Sequence, residues 1–171
     1  LSITVNPQTD APQITAAAVA GDEDSAIALN LTATFPDASE TISLQITGVP
    51  TGSSFNNGTL VGNTWSGTAG DLTGLTFQAP QDFNGVVAMT LVASSQDAPD
   101  AAAMANLAFN VTVNPVAEPP TLSVAPISGQ QGETLALNIT AEAGLPTETL
   151  EVVISGLPAG TTLSAGAAQG A

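Results

Sequence analysis

The sequence predicts an all-β protein built of β-sandwich repeats in tandem, about seven strands per repeat. Three observations carry this expectation. Apolar residues alternate with Thr, Asn and Ala in short runs, as in Ile27-Ala28-Leu29-Asn30-Leu31 and Val87-Ala88-Met89-Thr90-Leu91, the period of two that turns one face of a strand toward a core. The apolar share of 43% is mostly small and β-branched rather than aromatic (4%), and 16 Gly and 12 Pro punctuate it as turns do. Finally, Thr4-Val5-Asn6-Pro7, followed by Asp10-Ala11-Pro12, returns as Thr112-Val113-Asn114-Pro115, followed by Glu118-Pro119-Pro120, an offset of 112 − 4 = 108 in the numbering.

Residues 1–63 align on 109–171 without a gap, with 20 of the 63 positions identical. The matches include Gly21/Gly129, Ala28-Leu29-Asn30/Ala136-Leu137-Asn138, Glu40-Thr41/Glu148-Thr149 and the turn Gly48–Gly52/Gly156–Gly160. A period of this size is one immunoglobulin-sized sandwich and far exceeds a solenoid repeat. Residues 1–7 are then the last strand of a preceding repeat or a lead-in, 8–115 a complete repeat, and 116–171 the first half of a second.

Within 8–115, a first strand is expected over Gln13–Val19. A second turns Ile27, Leu29, Leu31 and Phe35 inward, and a third turns Ile42, Leu44 and Ile46 inward. After the Pro50–Gly52 turn come short strands at Ser53–Phe55 and Thr59–Trp65, with Trp65 read as core packing rather than a sugar platform. Leu75 and Phe77 mark the fifth strand, preceded by a single helical turn near Thr68–Leu72. Val87, Met89 and Leu91 mark the sixth, and Leu107, Phe109, Val111 and Val113 the seventh. In the second unit, Leu135/Leu137/Ile139, Leu150/Val152/Ile154 and Leu163 stand where strands of the first unit stand, but nothing matches Trp65 through Val113. A half sandwich has an open core and an unpaired edge. Truncation, disordered or cleaved residues, and an insertion that splits the domain remain three explanations.

The charge balance excludes whole classes of function. The chain has 15 Asp and Glu and no Lys, Arg or His. Such a surface repels phosphate backbones and anionic lipid, so neither nucleic acid nor direct membrane insertion is expected. There is no His or Lys base for a serine nucleophile, no Cys nucleophile, no zinc set and no phosphate loop with its Lys. Only a two-carboxylate glycosidase mechanism is left open, and nothing places two acids in a cleft, so no enzyme is expected.

In a seven-strand sandwich alternate loops lie at opposite ends, which sorts the acids. One end collects Asp10, Asp37, Glu40, Asp97 and Asp100. The other collects Asp22, Glu23, Asp24, Asp82 and Glu118. With no cationic side chain available, clustered carboxylates must stay solvated, protonate or share a metal. A hard cation taking six to eight oxygens converts their repulsion into a clamp, and calcium (Ca2+) suits so flexible a set better than magnesium. All ten are candidate metal ligands.

The motifs in their order, Gly21–Asn30, Asp37-Ala38-Ser39-Glu40-Thr41, Gly48–Gly52, Asp71–Phe77 and Thr112–Pro120, resemble the tandem immunoglobulin-like, cadherin-like extender repeats of large calcium-dependent bacterial RTX adhesins. The resemblance covers essentially the whole chain. It implies a secreted cell-surface protein for attachment and biofilm formation, monomeric, whose partners are neighbouring repeats of the same polypeptide stiffened by calcium at their junctions. It also implies an alternative, a split repeat hosting an inserted sugar- or peptide-binding module. The chain departs from the family's usual acidic loop Asp-x-Asp-Gly-Ser-Glu, keeping only its later part at Phe35–Glu40. Gln130-Gln131-Gly132 also replaces Asp22-Glu23-Asp24 in the second unit.

Overall fold

The computed structural model describes residues 1–4, 6 and 8–167. Val5 and Pro7 of the first connector, and residues 168–171, lie outside the described residues. The chain divides into two compact units, Leu1–Val116 and Ala117–Ala171. It is all-β, with several sheets and one short 3-10 turn among the described residues.

In the first unit the strands are β1 (Gln13–Ala16), β2 (Val19–Asp22), β3 (Ile27–Ala28), β4 (Leu31–Thr34), β5 (Thr41–Thr47), β6 (Ser54–Phe55), β7 (Thr59–Val61), β8 (Thr64–Gly67), β9 (Thr76–Gln78), β10 (Gly85–Gln96) and β11 (Ala103–Asn114). A six-stranded sheet runs β2-β11-β10-β5-β8-β7, and β3-β9-β6 and β1-β4 form two smaller sheets. The long antiparallel hairpin β10–β11, in register from Gly85↔Val113 to Ser95↔Ala103, is its spine. Alternation along it buries Val87, Met89 and Leu91 on one strand and Phe109, Val111 and Val113 on the other. These residues share one core with Ile27, Leu29 and Leu31 of the opposing strands, so the sheets close over a common apolar layer.

Trp65 lies in that core as expected, fully buried, with its indole N–H donating to the Asn57 carbonyl at 2.6 Å. Phe55 packs beside it in tilted geometry, ring centres 6.0 Å apart, and against Phe77 in turn at 5.5 Å. Two glycines make room for the ring. A Cβ at Gly58 would sit 2.3 Å from the indole nitrogen, and one at Gly67 2.6 Å from the six-membered ring.

The structure corrects several expectations. The strand expected over Gln13–Val19 is two strands, because the chain changes sheets. β1 pairs with β4, and β2 pairs in parallel with β11. The small residues Ala16-Ala17-Ala18 let it cross between layers. Thr59–Trp65 is a hairpin, β7 and β8, turned at Gly62 with a positive φ of 58°. Ile42 is on the face of Leu44 and Ile46 but is exposed rather than buried, opposite Ser95 near the start of β5. Phe35 lies half-buried against the core. No strand forms among the described residues of 1–7. The single turn near Thr68–Leu72 is the 3-10 turn Gly70–Leu72.

The second unit holds one two-stranded sheet, β12 (Thr121–Val124) with β13 (Ile139–Glu142). Its register, Thr121↔Glu142 to Val124↔Ile139, is that of Gln13↔Thr34 to Ala16↔Leu31 moved by one repeat period. The correspondence extends to single hydrogen bonds. Ala17 N–H donates to Asn30 O as Ala125 N–H does to Asn138 O, and Ser53 N–H to Pro50 O as Thr161 N–H to Pro158 O. The counterparts of four strands were expected here, and the structure does not form all of them. Leu135, Leu137, Leu150, Val152, Ile154 and Leu163 lie outside any strand and exposed. In the first unit β5 is held by β8 and β10, and β3 by β9. The described residues of the second unit contain no counterparts of those strands, and an apolar run becomes a strand only beside another.

Candidate functional site at the poles of the first unit

One pole gathers Asp22, Glu23, Asp24 and Asp82. Parallel pairing of β2 with β11 brings the Asp22–Asp24 loop against Asn114, so Glu23 N–H donates to Asn114 O at 2.9 Å and the Asn114 amide reaches Asp22 Oδ1 at 3.4 Å. Glu23 is buried, and both its oxygens are engaged. Oε1 accepts the Val116 N–H at 2.6 Å and Oε2 the Asn84 amide at 3.3 Å. Asp24 and Asp82 stay exposed. Asp82 N–H donates to Asp24 Oδ1 at 3.1 Å, and each offers a carboxylate oxygen within 4.8 Å of the other. Both adopt positive φ, 55° and 58°, and they are the only described residues other than glycine that do. The left-handed conformation costs most L residues about 1–2 kcal/mol, Asp less. At the position equivalent to Asp24 the second unit carries Gly132, at φ 89°.

The other pole is tied together by the segment before β1. Thr9 N–H donates to Asp100 Oδ2 at 3.0 Å, Asp97 N–H to Thr9 Oγ1 at 3.0 Å, Asp10 N–H to Glu40 Oε1 at 2.6 Å, and the Ser95 hydroxyl to the Asp10 carbonyl. Asp10, Glu40, Asp97 and Asp100 therefore belong to one network. Asp37 turns back on its own loop, accepting the Ser39 N–H and hydroxyl at 2.8 Å. Those bonds, the backbone one first, hold its carboxyl below the usual range. The Thr9 and then the Ala101 N–H do the same for Asp100. Glu40 is the exception to this satisfaction. It is 6% exposed, and its Oε2 has no hydrogen-bond partner.

Glu118 belongs to the second unit, where its N–H donates to Glu148 Oε1 at 2.9 Å while Leu145 N–H donates to Oε2 at 3.1 Å. The first of these repeats the Asp10–Glu40 bond one period later in the chain.

Sequence reasoning left clustered acids three fates: solvation, protonation or a metal. The structure adds a fourth, because backbone N–H groups donate to half of the ten, Glu23, Asp24, Asp37, Glu40 and Asp100. Asn84, Thr9 and Ser95, which make these links, carry no signal in the sequence, and Asn114 stands out there only as part of the repeated Thr-Val-Asn-Pro motif. Their partners lie 61–92 residues away in sequence. No local pattern carries that information. What the arrangement can still offer a cation is the exposed Asp24–Asp82 pair at one pole and the unpaired Glu40 oxygen at the other. A hard divalent ion takes carboxylate and carbonyl oxygens and waters together, and these are oxygen donors of that class. No protein-family model matches the chain, and no curated protein is similar to it.

Proposed function

We propose that the chain is a non-catalytic extender module of a secreted bacterial surface adhesin, an array of immunoglobulin-like, cadherin-like repeats whose poles bind calcium. The observation that carries this reading is Glu40, a buried carboxylate with one oxygen unpartnered in a chain with no Lys, Arg or His. Burying a carboxylate oxygen without a partner costs about 1–3 kcal/mol, and a cation at Oε2 would offset that cost. The Asp24–Asp82 pair supports a second site, since two exposed aspartates in the left-handed region lie side by side, and the second unit carries Gly132 at the position of Asp24. The registers and hydrogen bonds shared one period apart support the tandem-repeat part of the reading.

The chain's own residues give the mechanism. Loop carboxylates bonded to backbone N–H groups hold each pole in one shape, and Pro115, Pro119 and Pro120 favour an extended connector. Calcium would neutralise the remaining charge, stiffening a stalk that carries a distal binding region for attachment and biofilm formation. The test is a calcium titration of the EDTA-treated chain by calorimetry and thermal melting. A saturable rise in melting temperature is expected, while magnesium at the same concentration has little effect. A melt indifferent to EDTA and calcium would remove the metal from the proposal.

A further inference from the structure

Two asparagines stand directly before a glycine, Asn57-Gly58 in the loop between β6 and β7 and Asn84-Gly85 at the start of β10. In such a pair the following main-chain nitrogen reaches the asparagine side chain most easily, because glycine has no Cβ to obstruct the approach. The fold treats the two pairs differently. The Asn84 amide donates to Glu23 Oε2 at 3.3 Å, and Gly85 is held in β10 opposite Val113. Asn57 is exposed, and among the described residues neither its side-chain amide nor the Gly58 N–H makes a hydrogen bond. Its neighbour Asn56 is locked, its amide donating to Gly74 O at 3.0 Å and its Oδ1 accepting the Thr76 N–H at 2.8 Å. What Asn57 does hold is the core, since its main-chain carbonyl accepts the buried Trp65 indole N–H at 2.6 Å. Gly58, at φ 75°, lies where a Cβ would run into that indole.

We propose that Asn57 is a self-modification site, whose side-chain amide is lost to water by way of a cyclic imide with Gly58. The Gly58 nitrogen attacks Asn57 Cγ. The N–Cγ bond forms as the Cγ–Nδ2 bond breaks, and the Gly58 proton leaves with Nδ2 as ammonia. Water then opens the imide at either carbonyl. Attack at Cγ gives aspartate with the main chain unchanged. Attack at the main-chain carbon gives isoaspartate, in which the chain runs through Cβ and Cγ and the old main-chain carbonyl becomes a free carboxylate. Water is consumed and ammonia released, and no oxidant or metal enters the balance.

Isoaspartate is the product with a consequence for the fold. The oxygen that accepted the Trp65 N–H then belongs to a carboxylate, and the main chain gains a carbon beside a ring that leaves no room for it. The new charge falls on a chain of net charge −15 with no cationic side chain to pair it. Conversion therefore loosens the Trp65 end of the core, where Phe55 also packs. At Asn84 the same reaction must first break a hydrogen bond to a carboxylate, which slows it roughly tenfold or more.

The inference does not rest on calcium and is tested without it. The folded chain is held in mildly alkaline buffer while peptide mass spectrometry follows the conversion of amide to acid at both asparagines. Isoaspartate is detected with a methyltransferase specific for it. Asn57 should convert roughly tenfold or more faster than Asn84, with isoaspartate among its products, and the emission of the lone Trp should shift in step. In denaturant, where neither amide is held, the two rates should come together. Asn57→Ser cannot form the imide yet keeps the carbonyl that the indole uses, so its emission should stay constant over the same time. Equal rates at the two sites in the folded chain overturn the proposal. So does emission that drifts alike in the parent and in Asn57→Ser, or conversion of Asn57 to isoaspartate that leaves Trp65 emission unchanged.

Discussion

Glu40→Gln separates a calcium ligand from a purely structural carboxylate. The substitution keeps the shape and an oxygen that can accept the Asp10 N–H, now 2.6 Å from Oε1, and replaces the unpartnered Oε2 with an amide. Without metal, two effects oppose each other. A charge-assisted hydrogen bond of about 1.5–3 kcal/mol becomes a neutral one of about 1 kcal/mol, while the cost of a buried unpaired charge disappears. The metal-free variant should therefore unfold within about 1 kcal/mol of the parent. With calcium at a hundred times its dissociation constant, the parent gains about 2.7 kcal/mol. For a unit of this size that is roughly a 10 °C rise in melting temperature. The variant should lose most of the part of that gain that comes from the Glu40 pole and keep the part that comes from Asp24 and Asp82. Urea denaturation with and without calcium, parent against variant, reads the difference directly. If both proteins gain the same increment, Glu40 is not a ligand and its buried oxygen needs another explanation.

Three further outcomes follow from particular contacts. Gly67→Ala places a Cβ 2.6 Å from the Trp65 ring, which is fully buried and cannot move aside; a loss of about 1–3 kcal/mol with changed Trp emission is expected, and an unchanged melt would mean the core is looser than this packing requires. Asp24→Gly relieves the left-handed backbone at φ 55°. The metal-free melt should then hold steady or rise by the equivalent of about 0.5–1 kcal/mol while the response to calcium shrinks; a lower metal-free melt argues against strain there. The Thr68 N–H and then its hydroxyl lower the Asp71 carboxyl below its ordinary 3.8. A lowered folded-state value contributes stability above the unfolded-state value and loses it as pH falls through the folded one. Asp71→Ala should therefore melt below the parent at neutral pH and approach it below about pH 4, and a gap independent of pH would remove the charge from the explanation.

Much of the first unit was legible because its information is local. Alternation names the inward residues of β3, β10 and β11, and a lone Trp amid short apolar strands reads as core. Loops between strands put the acids at two ends, and the structure does draw Asp22 and Glu23 to Asn114, Asp24 to Asp82, and Asp10 to Glu40 through contacts at those ends. Ile42 fails the same logic because a strand can outrun its covering layer. Its period is correct, but its end of β5 leaves it exposed.

The sequence by itself determined the strand-forming period, the likeness of residues 1–63 to 109–171 and the absence of any cationic side chain to partner 15 carboxylates. Only tertiary structure decided how those carboxylates at the poles are held, because donors such as the Asp10 and Val116 N–H groups arrive from 30 to 93 residues away. It also decided which apolar runs become strands. Ile27–Leu31 and Leu135–Ile139 carry the same alternation, yet one set is buried and the other, outside Ile139, stands exposed. Periodicity states which face an extended segment would bury. Whether it buries that face depends on a second layer to receive it.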